Sequence, residues 1–232
     1  MQGAKRFYDT VTLRKDGHVY CVLLDEKTIV NNGVTLRHAS IDLMHMIVDE
    51  WNAQKDYIAM DTMPYTRLLY SFLFINNETR QLFQTTITDY IRNDTLYYHA
   101  EADSALAKKQ LYLWEPWVNW ASSYFEIELQ VTHHIMPIHQ SETSLAAIAR
   151  WLENQDNISI LCLYLLSDTL KSFIISLALL EGKVSPQTAM DIAWLEHDSQ
   201  AEQWGEDDDA AHKRKTALDV TKTVLQFYQW VK

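Results

Sequence analysis

Residues 19–51 read VYCVLLDEKTIVNNGVTLRHASIDLMHMIVDEW, and this stretch contains the change of period that decides the fold. Its first half is rich in β-branched and aromatic residues. Two turn signals, Asp25-Glu26-Lys27 and Asn31-Asn32-Gly33, divide it into short antiparallel strands. From Ser40 onward the apolar residues recur every three or four positions, as on one face of a helix, and Ser40 can cap that helix. The sequence therefore predicts a strand-rich start that gives way to helices.

The rest of the chain extends this pattern in both directions. A further strand is predicted at 7–13, before the turn signal Lys15-Asp16-Gly17. A second helix is predicted after Met63-Pro64, because proline fixes φ and needs no hydrogen-bond donor at the first helical position. The other predicted elements are helices at 77–91, 105–124, 141–151, 158–180 (one helix or a pair), 185–205 and 210–230, and a strand at 127–132.

These elements predict an α+β protein with two domains. The first, residues 1–60, is a small mixed domain with short antiparallel strands. The second, residues 61–232, is a larger, mainly helical orthogonal bundle.

The composition limits the classes of partner. The chain has 232 residues, 47% of them hydrophobic, and a formal net charge of −11. Nucleic-acid affinity comes largely from Lys and Arg that neutralise phosphates, so no nucleic-acid partner is expected. An anionic membrane surface is disfavoured for the same reason. No membrane insertion is expected, because Ser167, Asp168 and Lys171 interrupt the longest apolar run. We expect a folded protein that is monomeric when free.

The N-terminal segment and the cysteines indicate the compartment. Residues 1–15 are polar and charged and contain no apolar signal segment. Cys21 and Cys162 lie far apart in apolar surroundings and form no zinc or Cys-x-x-Cys spacing, which indicates buried free thiols in a reducing compartment. We expect the cytoplasm of a bacterium, or the mitochondrial matrix if the chain is a processed eukaryotic form.

The sequence lacks the common motifs for catalysis and cofactor binding. Its five glycines are too scattered to form a phosphate-binding loop, and no Gly-x-Ser-x-Gly motif is present. His133 and His134 are adjacent, so in a strand they would point to opposite faces and would not bind one metal ion together. We expect no catalytic residue, no cofactor and no metal ligand.

A dense acidic cluster is the most unusual polar feature. Asp198, Glu202 and Glu206 are four residues apart and would share one face of a helix, where like charges repel. The cluster is compatible with a solvated face, with a contact surface for a basic partner, or with a divalent-metal enzyme. Trp204 is predicted to pack against the fold, and Gly205 to end the helix with positive φ. The cluster comprises Glu196, Asp198, Glu202, Glu206, Asp207, Asp208 and Asp209.

A second notable block surrounds Met63-Pro64. Arg67 would lie in the first turn of the helix that follows, where a cation opposes the helix dipole. We therefore expect Arg67 to have a carboxylate partner, either in a salt bridge at the domain junction or on a binding partner.

These two blocks resemble the motifs of the assembly-chaperone family that binds the free alpha subunit of the F-type ATP synthase catalytic head, found in mitochondria and alphaproteobacteria. The first motif reads Trp51-x-Ala53-Gln54-x-x-x-Ile58 and continues as Met63-Pro64-x-Thr66-Arg67-Leu68. The second reads Gln200-x-Glu202-x-Trp204-Gly205-x-Asp207. Arg6-Phe7-Tyr8 and Val22-Leu23-Leu24-Asp25 also fit the family, whereas 94–99 and Ser199 are less typical.

The resemblance implies a two-domain α+β chaperone with no cofactor and no catalysis. It implies that the chain shields the free alpha subunit until the beta subunit replaces it. The residues expected to contact that partner are Asp198, Glu202, Trp204, Glu206, Asp207 and Arg67. The alternative function is a divalent-metal-dependent enzyme that uses the acidic cluster around Glu202.

Overall fold

A computed structural model describes residues 4–134, 136–205 and 208–232 of the chain, and these residues contain six short strands and eleven α-helices. The strands are β1 (Val11–Asp16), β2 (Val19–Leu24), β3 (Lys27–Thr28), β4 (Val30–Asn31), β5 (Val34–Thr35) and β6 (Arg37–His38). The helices are α1 (Ile41–Asn52), α2 (Pro64–Leu73), α3 (Asn77–Arg92), α4 (Ala105–Leu113), α5 (Glu115–Phe125), α6 (Glu142–Glu153), α7 (Asn157–Leu170), α8 (Phe173–Leu180), α9 (Pro186–Ala193), α10 (Leu195–Trp204) and α11 (Asp208–Val231).

The chain packs as two compact units. The first contains the described residues up to Asn76 and the C-terminal Gln226–Lys232, and the second spans Asn77–Leu225. The first unit therefore extends past the expected boundary at residue 60 and includes α2. This architecture of short antiparallel strands followed by helices confirms the predicted α+β class.

The first unit is built on the strand β2. This strand pairs antiparallel with β1 along its whole length, and on its other side with β3 and β6. Its residues Cys21 to Leu24 are all buried, and α1 packs on the sheet through Leu43, Met44 and Ile47, each with no exposed surface. Burial of these aliphatic side chains is the main favourable term for this small unit.

The carboxylate of Glu50 connects α1 to α2 within the first unit. Its Oε1 accepts a hydrogen bond from Tyr65 N at 2.6 Å, and its Oε2 accepts from Thr66 N at 2.8 Å and from Thr66 Oγ1 at 2.7 Å. Met63, at the N-cap position, provides no side-chain cap. Glu50 therefore satisfies amide donors in the first turn of α2 that would otherwise lack a partner.

The second unit has its core in α7 and α8, which are buried on nearly all sides. Lys171 adopts a left-handed conformation with φ of 54° and ends α7, and Ser172 then caps α8 by accepting from Ile175 N at 3.1 Å. The apolar run at 158–180 is thus a pair of core helices. No helix in the described part of the chain has the length and apolar character required to span a membrane.

Several predicted elements differ in detail from the structure. The predicted helices 105–124 and 185–205 are each broken, at Trp114 and Trp194. The predicted strand at 127–132 was wrong: only Thr132 forms an isolated parallel bridge, to Tyr98. Gln140 uses its side chain to bond both the N and the O of Gln130, so a side chain satisfies backbone groups that a neighbouring strand would otherwise bond.

Asp94 is completely buried in the second unit. Its carboxylate accepts from Leu96 N at 3.0 Å and from Ile174 N, at the start of α8, at 2.9 Å. Burial raises the pKa of Asp94 to about 6, although these hydrogen bonds favour the charged form and oppose the rise.

The raised pKa of Asp94 predicts a pH-dependent stability. Its contribution is present below pH 3.8, the usual carboxyl value, and is lost as the pH rises through about 6. We expect the free energy of unfolding of the parent protein to fall between pH 4 and pH 7, relative to Asp94→Asn, by about 2 kcal/mol. Urea unfolding of both proteins across this range measures the difference.

Asp168→Asn is the matched control for Asp94→Asn. Partial burial opposes ionisation of Asp168, but hydrogen bonds from the Lys171 ammonium and the Tyr90 hydroxyl lower its pKa overall. The Asp168 contribution is therefore lost as the pH falls, which is the opposite sign. A difference between Asp94→Asn and the parent that stays constant with pH would contradict the prediction.

Candidate functional site

The acidic cluster begins on α10, a helix of the second unit. Glu196 in its first turn is half-buried and accepts from Gln110 Nε2 on α4 at 2.9 Å. Gln110 is fully buried, and its Oε1 accepts from Ala100 N at 2.7 Å. Burial raises the pKa of Glu196, whereas His197 and Gln110 oppose the rise. Glu196 therefore attaches α10 to the fold rather than projecting into solvent.

Asp198 lies two residues further along α10 and pairs with Arg214 of α11. The distance between Asp198 Oδ2 and Arg214 Nη2 is 3.1 Å, and the same Nη2 is 2.8 Å from Asp191 Oδ1 of α9. Burial raises the pKa of Asp198, the Arg214 guanidinium opposes the rise, and the Asp191 carboxylate adds to it. One guanidinium thus links α9, α10 and α11.

Glu202 pairs with Lys109 of α4. Lys109 Nζ lies 2.6 Å from Glu202 Oε2, while 64% of the Glu202 side chain remains exposed. Exposed ion pairs of this kind contribute only about 0–1 kcal/mol. The repulsion expected between Asp198 and Glu202 is therefore reduced by cations from two other helices, and both carboxylates remain accessible at the surface.

Trp204 and Gly205 end α10. Gly205 has φ of 94°, which confirms the predicted glycine stop with positive φ. The prediction that Trp204 packs against the fold was wrong, because 86% of its surface is exposed. Trp204 is the last residue of α10, and Gly205 turns the chain directly after it. The indole therefore extends past the part of α10 that packs on other helices. Glu206 and Asp207 lie outside the described residues.

Arg67 is exposed in α2, in the first unit. Among the described residues no carboxylate lies within ion-pair distance of its guanidinium. The intramolecular partner that the helix-dipole argument suggested is therefore not formed in the described part of the chain. Its positive charge remains available at the surface.

Other residues of the first motif form the interior of the first unit. Trp51, Ile58, Met63 and Thr66 are buried. Gln54 is also buried, and its amide bonds Glu50 O at 3.0 Å, Thr62 Oγ1 at 3.2 Å and Ala59 N at 2.8 Å. This motif thus holds the connection between α1 and α2 in one conformation.

The histidines do not form a metal centre in the described structure. His133 bonds Ala100 O through Nδ1 at 2.8 Å and stands edge to face with His99, whereas the His134 amide bonds Thr132 Oγ1. Among the residues with described positions, no group of three or more His, Cys, Asp or Glu is arranged to hold a metal ion. The cavity beside Asp198 has a volume of about 40 Å³, enough for about one water molecule.

Comparison with known proteins connects this geometry to a family. The model of the family described as ATP12 chaperone protein matches residues 5–122, which is half of the chain and includes the first motif. The chain belongs to the ATP12 chaperone family. The second motif lies beyond the matched range.

Solved structures of Atp12 and of one further protein share the fold along nearly the whole chain. Atp12 from Paracoccus denitrificans is 27% identical with a TM-score of 0.87, and the match covers 99% of each chain. A mutant of the same Atp12p gives the same identity and TM-score and covers 99% of this chain and 98% of that one. A candidate chaperone from Agrobacterium tumefaciens is 28% identical with a TM-score of 0.86, covering 98% of this chain and 86% of that one.

Membership of the ATP12 family confirms the assignment as an ATP synthase assembly chaperone and not an enzyme. The alternative of a divalent-metal enzyme receives no support. No motif in the sequence marks Lys109, Gln110 and Arg214, the residues that pair with the acids of α10. Lys109 and Glu202 are 93 residues apart, so only the tertiary structure brings them together.

The exposure of Trp204 predicts a small effect of its removal on stability. We expect Trp204→Ala to change the free energy of unfolding by about 0.5 kcal/mol or less, because an exposed side chain loses few contacts. Thermal unfolding monitored by circular dichroism measures this. Trp114→Ala is the control: Trp114 is fully buried and donates to Ile192 O at 2.9 Å, so its loss should cost about 3–5 kcal/mol. Comparable losses for both variants would contradict the exposed position of Trp204.

Proposed function

We propose that this ATP12-family chaperone binds the free alpha subunit of the F-type ATP synthase and shields it until the beta subunit replaces it. The observation that supports a binding surface on α10 is the 86% exposure of Trp204 at the end of the helix that also carries the accessible carboxylates of Asp198 and Glu202. A large exposed aromatic residue at a charged surface is a typical anchor for a protein partner.

The distribution of charge supports a basic surface on the partner. Asn77–Leu225 contains 22 Asp and Glu against 11 Lys and Arg, whereas the first unit contains nine of each. The whole net charge of −11 therefore belongs to the second unit. An acidic field of this size favours encounter with a basic surface and disfavours acidic competitors.

The carboxylates of α10 can exchange their internal cations for cations of a partner. Lys109 and Arg214 neutralise Glu202 and Asp198 while the chaperone is free, and a cation of the alpha subunit can take their place at little net cost because the pairs are partly solvated. In this proposal Glu206 and Asp207, next along the sequence, extend the acidic contact. Arg67 supplies a separate contact to a carboxylate of the partner.

Reversal of charge at Glu202 tests the proposed contact. Glu202→Lys should weaken binding of the alpha subunit at least tenfold, because it places a cation where the partner presents one. The melting temperature should stay close to that of the parent protein, because exposed charge changes alter stability by about 0.5 kcal/mol or less.

Lys109→Met is the matched control for Glu202→Lys. It also breaks the Lys109–Glu202 pair but leaves the carboxylate free, so alpha-subunit binding should be retained or strengthened. Isothermal titration with purified alpha subunit measures both variants. Equal weakening by both would show that the salt bridge, and not the charge of Glu202, matters.

The choice of client is the central test of the proposed function. We expect the chaperone to suppress light scattering by isolated alpha subunit and to have little effect on isolated beta subunit. Addition of beta subunit should then release the chaperone from alpha, because the two would share one surface and mass action favours the tighter complex. Equal protection of both subunits would indicate a general holdase. A stable complex of chaperone, alpha and beta would refute release by competition.

A further inference from the structure

A second candidate binding surface lies on the first unit, where the N-terminal segment pairs with the loop after α1. Lys5 is bridged antiparallel to Tyr57, with Arg6 N donating to Asp56 O at 2.9 Å and Ile58 N donating to Ala4 O at 2.8 Å. Residues paired across such a ladder project from the same face. Lys5 and Tyr57 therefore share a face, and Phe7 and Lys55 are exposed two residues away along the two segments.

The surface around this bridge carries two aromatic rings and two lysines, all exposed. The exposed fractions of Phe7 and Tyr57 are 71% and 47%, and Phe7 is the most exposed large apolar residue described in the first unit. Neither Lys5 nor Lys55 forms an ion pair with any carboxylate in the described part of the chain. The face therefore combines unburied apolar surface with unpaired positive charge, in a protein of net charge −11. We name these four residues the Phe7 face.

Arg6 and Tyr8 fix the segment to the first unit, and the Phe7 ring meets the Tyr8 ring edge to face with 5.6 Å between the centroids. Arg6 donates to the backbone carbonyls of Tyr8, Gln54 and Asp9, and its guanidinium lies 4.6 Å from the centroid of the Tyr8 ring. The buried Tyr8 donates its hydroxyl proton to Trp51 O at 2.7 Å. Residues of the first motif therefore hold the backbone of the N-terminal segment in place. Because Phe7 lies on this fixed backbone, less entropy is lost on binding.

We propose that the Phe7 face binds an acidic segment of a partner protein that also carries an apolar side chain. Charge complementarity identifies this chemistry: carboxylates pair with Lys5 and Lys55, and an apolar group covers Phe7 and Tyr57. A nucleic acid or an anionic membrane is a poorer match, because two lysines neutralise few phosphates and neither ligand supplies an apolar side chain for Phe7 and Tyr57. If the partner is the alpha subunit, this face rests on the proposed function as a second contact, opposite in charge to α10.

Peptide binding tests the Phe7 face independently of the alpha subunit. The probe is a fluorescein-labelled peptide of alternating Glu and Phe, followed by fluorescence polarisation against the full-length protein. Binding should weaken at least tenfold in the double variant Lys5→Glu/Lys55→Glu and in Phe7→Ser, and the loss in the charge variant should diminish at high salt.

Two exposed positions elsewhere in the first unit provide matched controls. Lys27→Glu makes the same charge change on β3, and Val30→Ser removes an exposed apolar side chain on β4, so both should bind the peptide within twofold of the parent protein. Melting temperatures exclude unfolding as the cause of a loss. Equal binding by the Phe7-face variants and the controls overturns the inference. Equal or tighter Lys5- and Lys55-dependent binding of heparin or phosphatidylserine vesicles also overturns it, because the face would then be a general anion site.

The same variants, titrated with alpha subunit, separate the two proposals. If the parent protein binds the acidic peptide through the Phe7 face but does not bind alpha, the proposed function fails and the Phe7 face stands. If the parent protein binds alpha in a Glu202-dependent manner but does not bind the peptide, the inference about the Phe7 face fails and the proposed function stands.

Discussion

In each unit, a carboxylate from an earlier part of the chain accepts hydrogen bonds from amides in the first turn of a helix. The fold within each unit depends on this constraint. Glu50 satisfies Tyr65 N and Thr66 N at the start of α2, and Asp94 satisfies Ile174 N at the start of α8. Unsatisfied amide groups in a helix end are costly when they are buried. Each carboxylate therefore fixes the direction in which its helix leaves the preceding loop.

The constraint at Glu50 explains why the first motif is informative about the family although most of its residues are buried. Gln54 orders the loop after α1, Pro64 starts α2, and Thr66 returns a hydroxyl hydrogen bond to Glu50. The end of α1 and the same loop supply the strand partner and the carbonyls that hold residues 4–8. The residues of the first motif are mostly buried, but their contacts set the conformation of the exposed N-terminal segment beside them.

The sequence predicts the parts of this structure that depend on local rules. The change of period at Ser40, the proline start of α2 and the glycine stop at Gly205 follow from capping and backbone preferences, and all three are present. The break at Trp114 also has a local signal, because Pro116 stands in the first turn of α5. The break at Trp194 has none: neither a glycine nor a proline adjoins the residue that ends α9 and begins α10.

The candidate site was predictable in composition but not in geometry. Spacing alone places Asp198 and Glu202 on one face of a helix, yet their cations come from α4 and α11, which no local pattern connects to α10. The prediction that Trp204 packs against the fold fails for a related reason. A tryptophan beside a helix stop is usually buried by a neighbouring element, and here no described element covers it. Local rules therefore find the charged helix, and only the tertiary structure separates its structural acid, Glu196, from its accessible ones.

The proposed release by competition places a condition on the affinity of the binding surface. The chaperone must bind free alpha subunit tightly enough to protect it, but more weakly than the assembled beta subunit does. A surface made only of buried apolar contacts would bind tightly and dissociate slowly. A surface with one exposed indole, and with carboxylates that already have partners within the chaperone, binds more weakly than an apolar surface and keeps a fast association rate. Because Lys109 and Arg214 can pair again with Glu202 and Asp198 when a client cation leaves, dissociation exposes no unpaired charge. In the proposed mechanism, the internal pairs of Glu202 and Asp198 therefore lower the barrier to release of the chaperone.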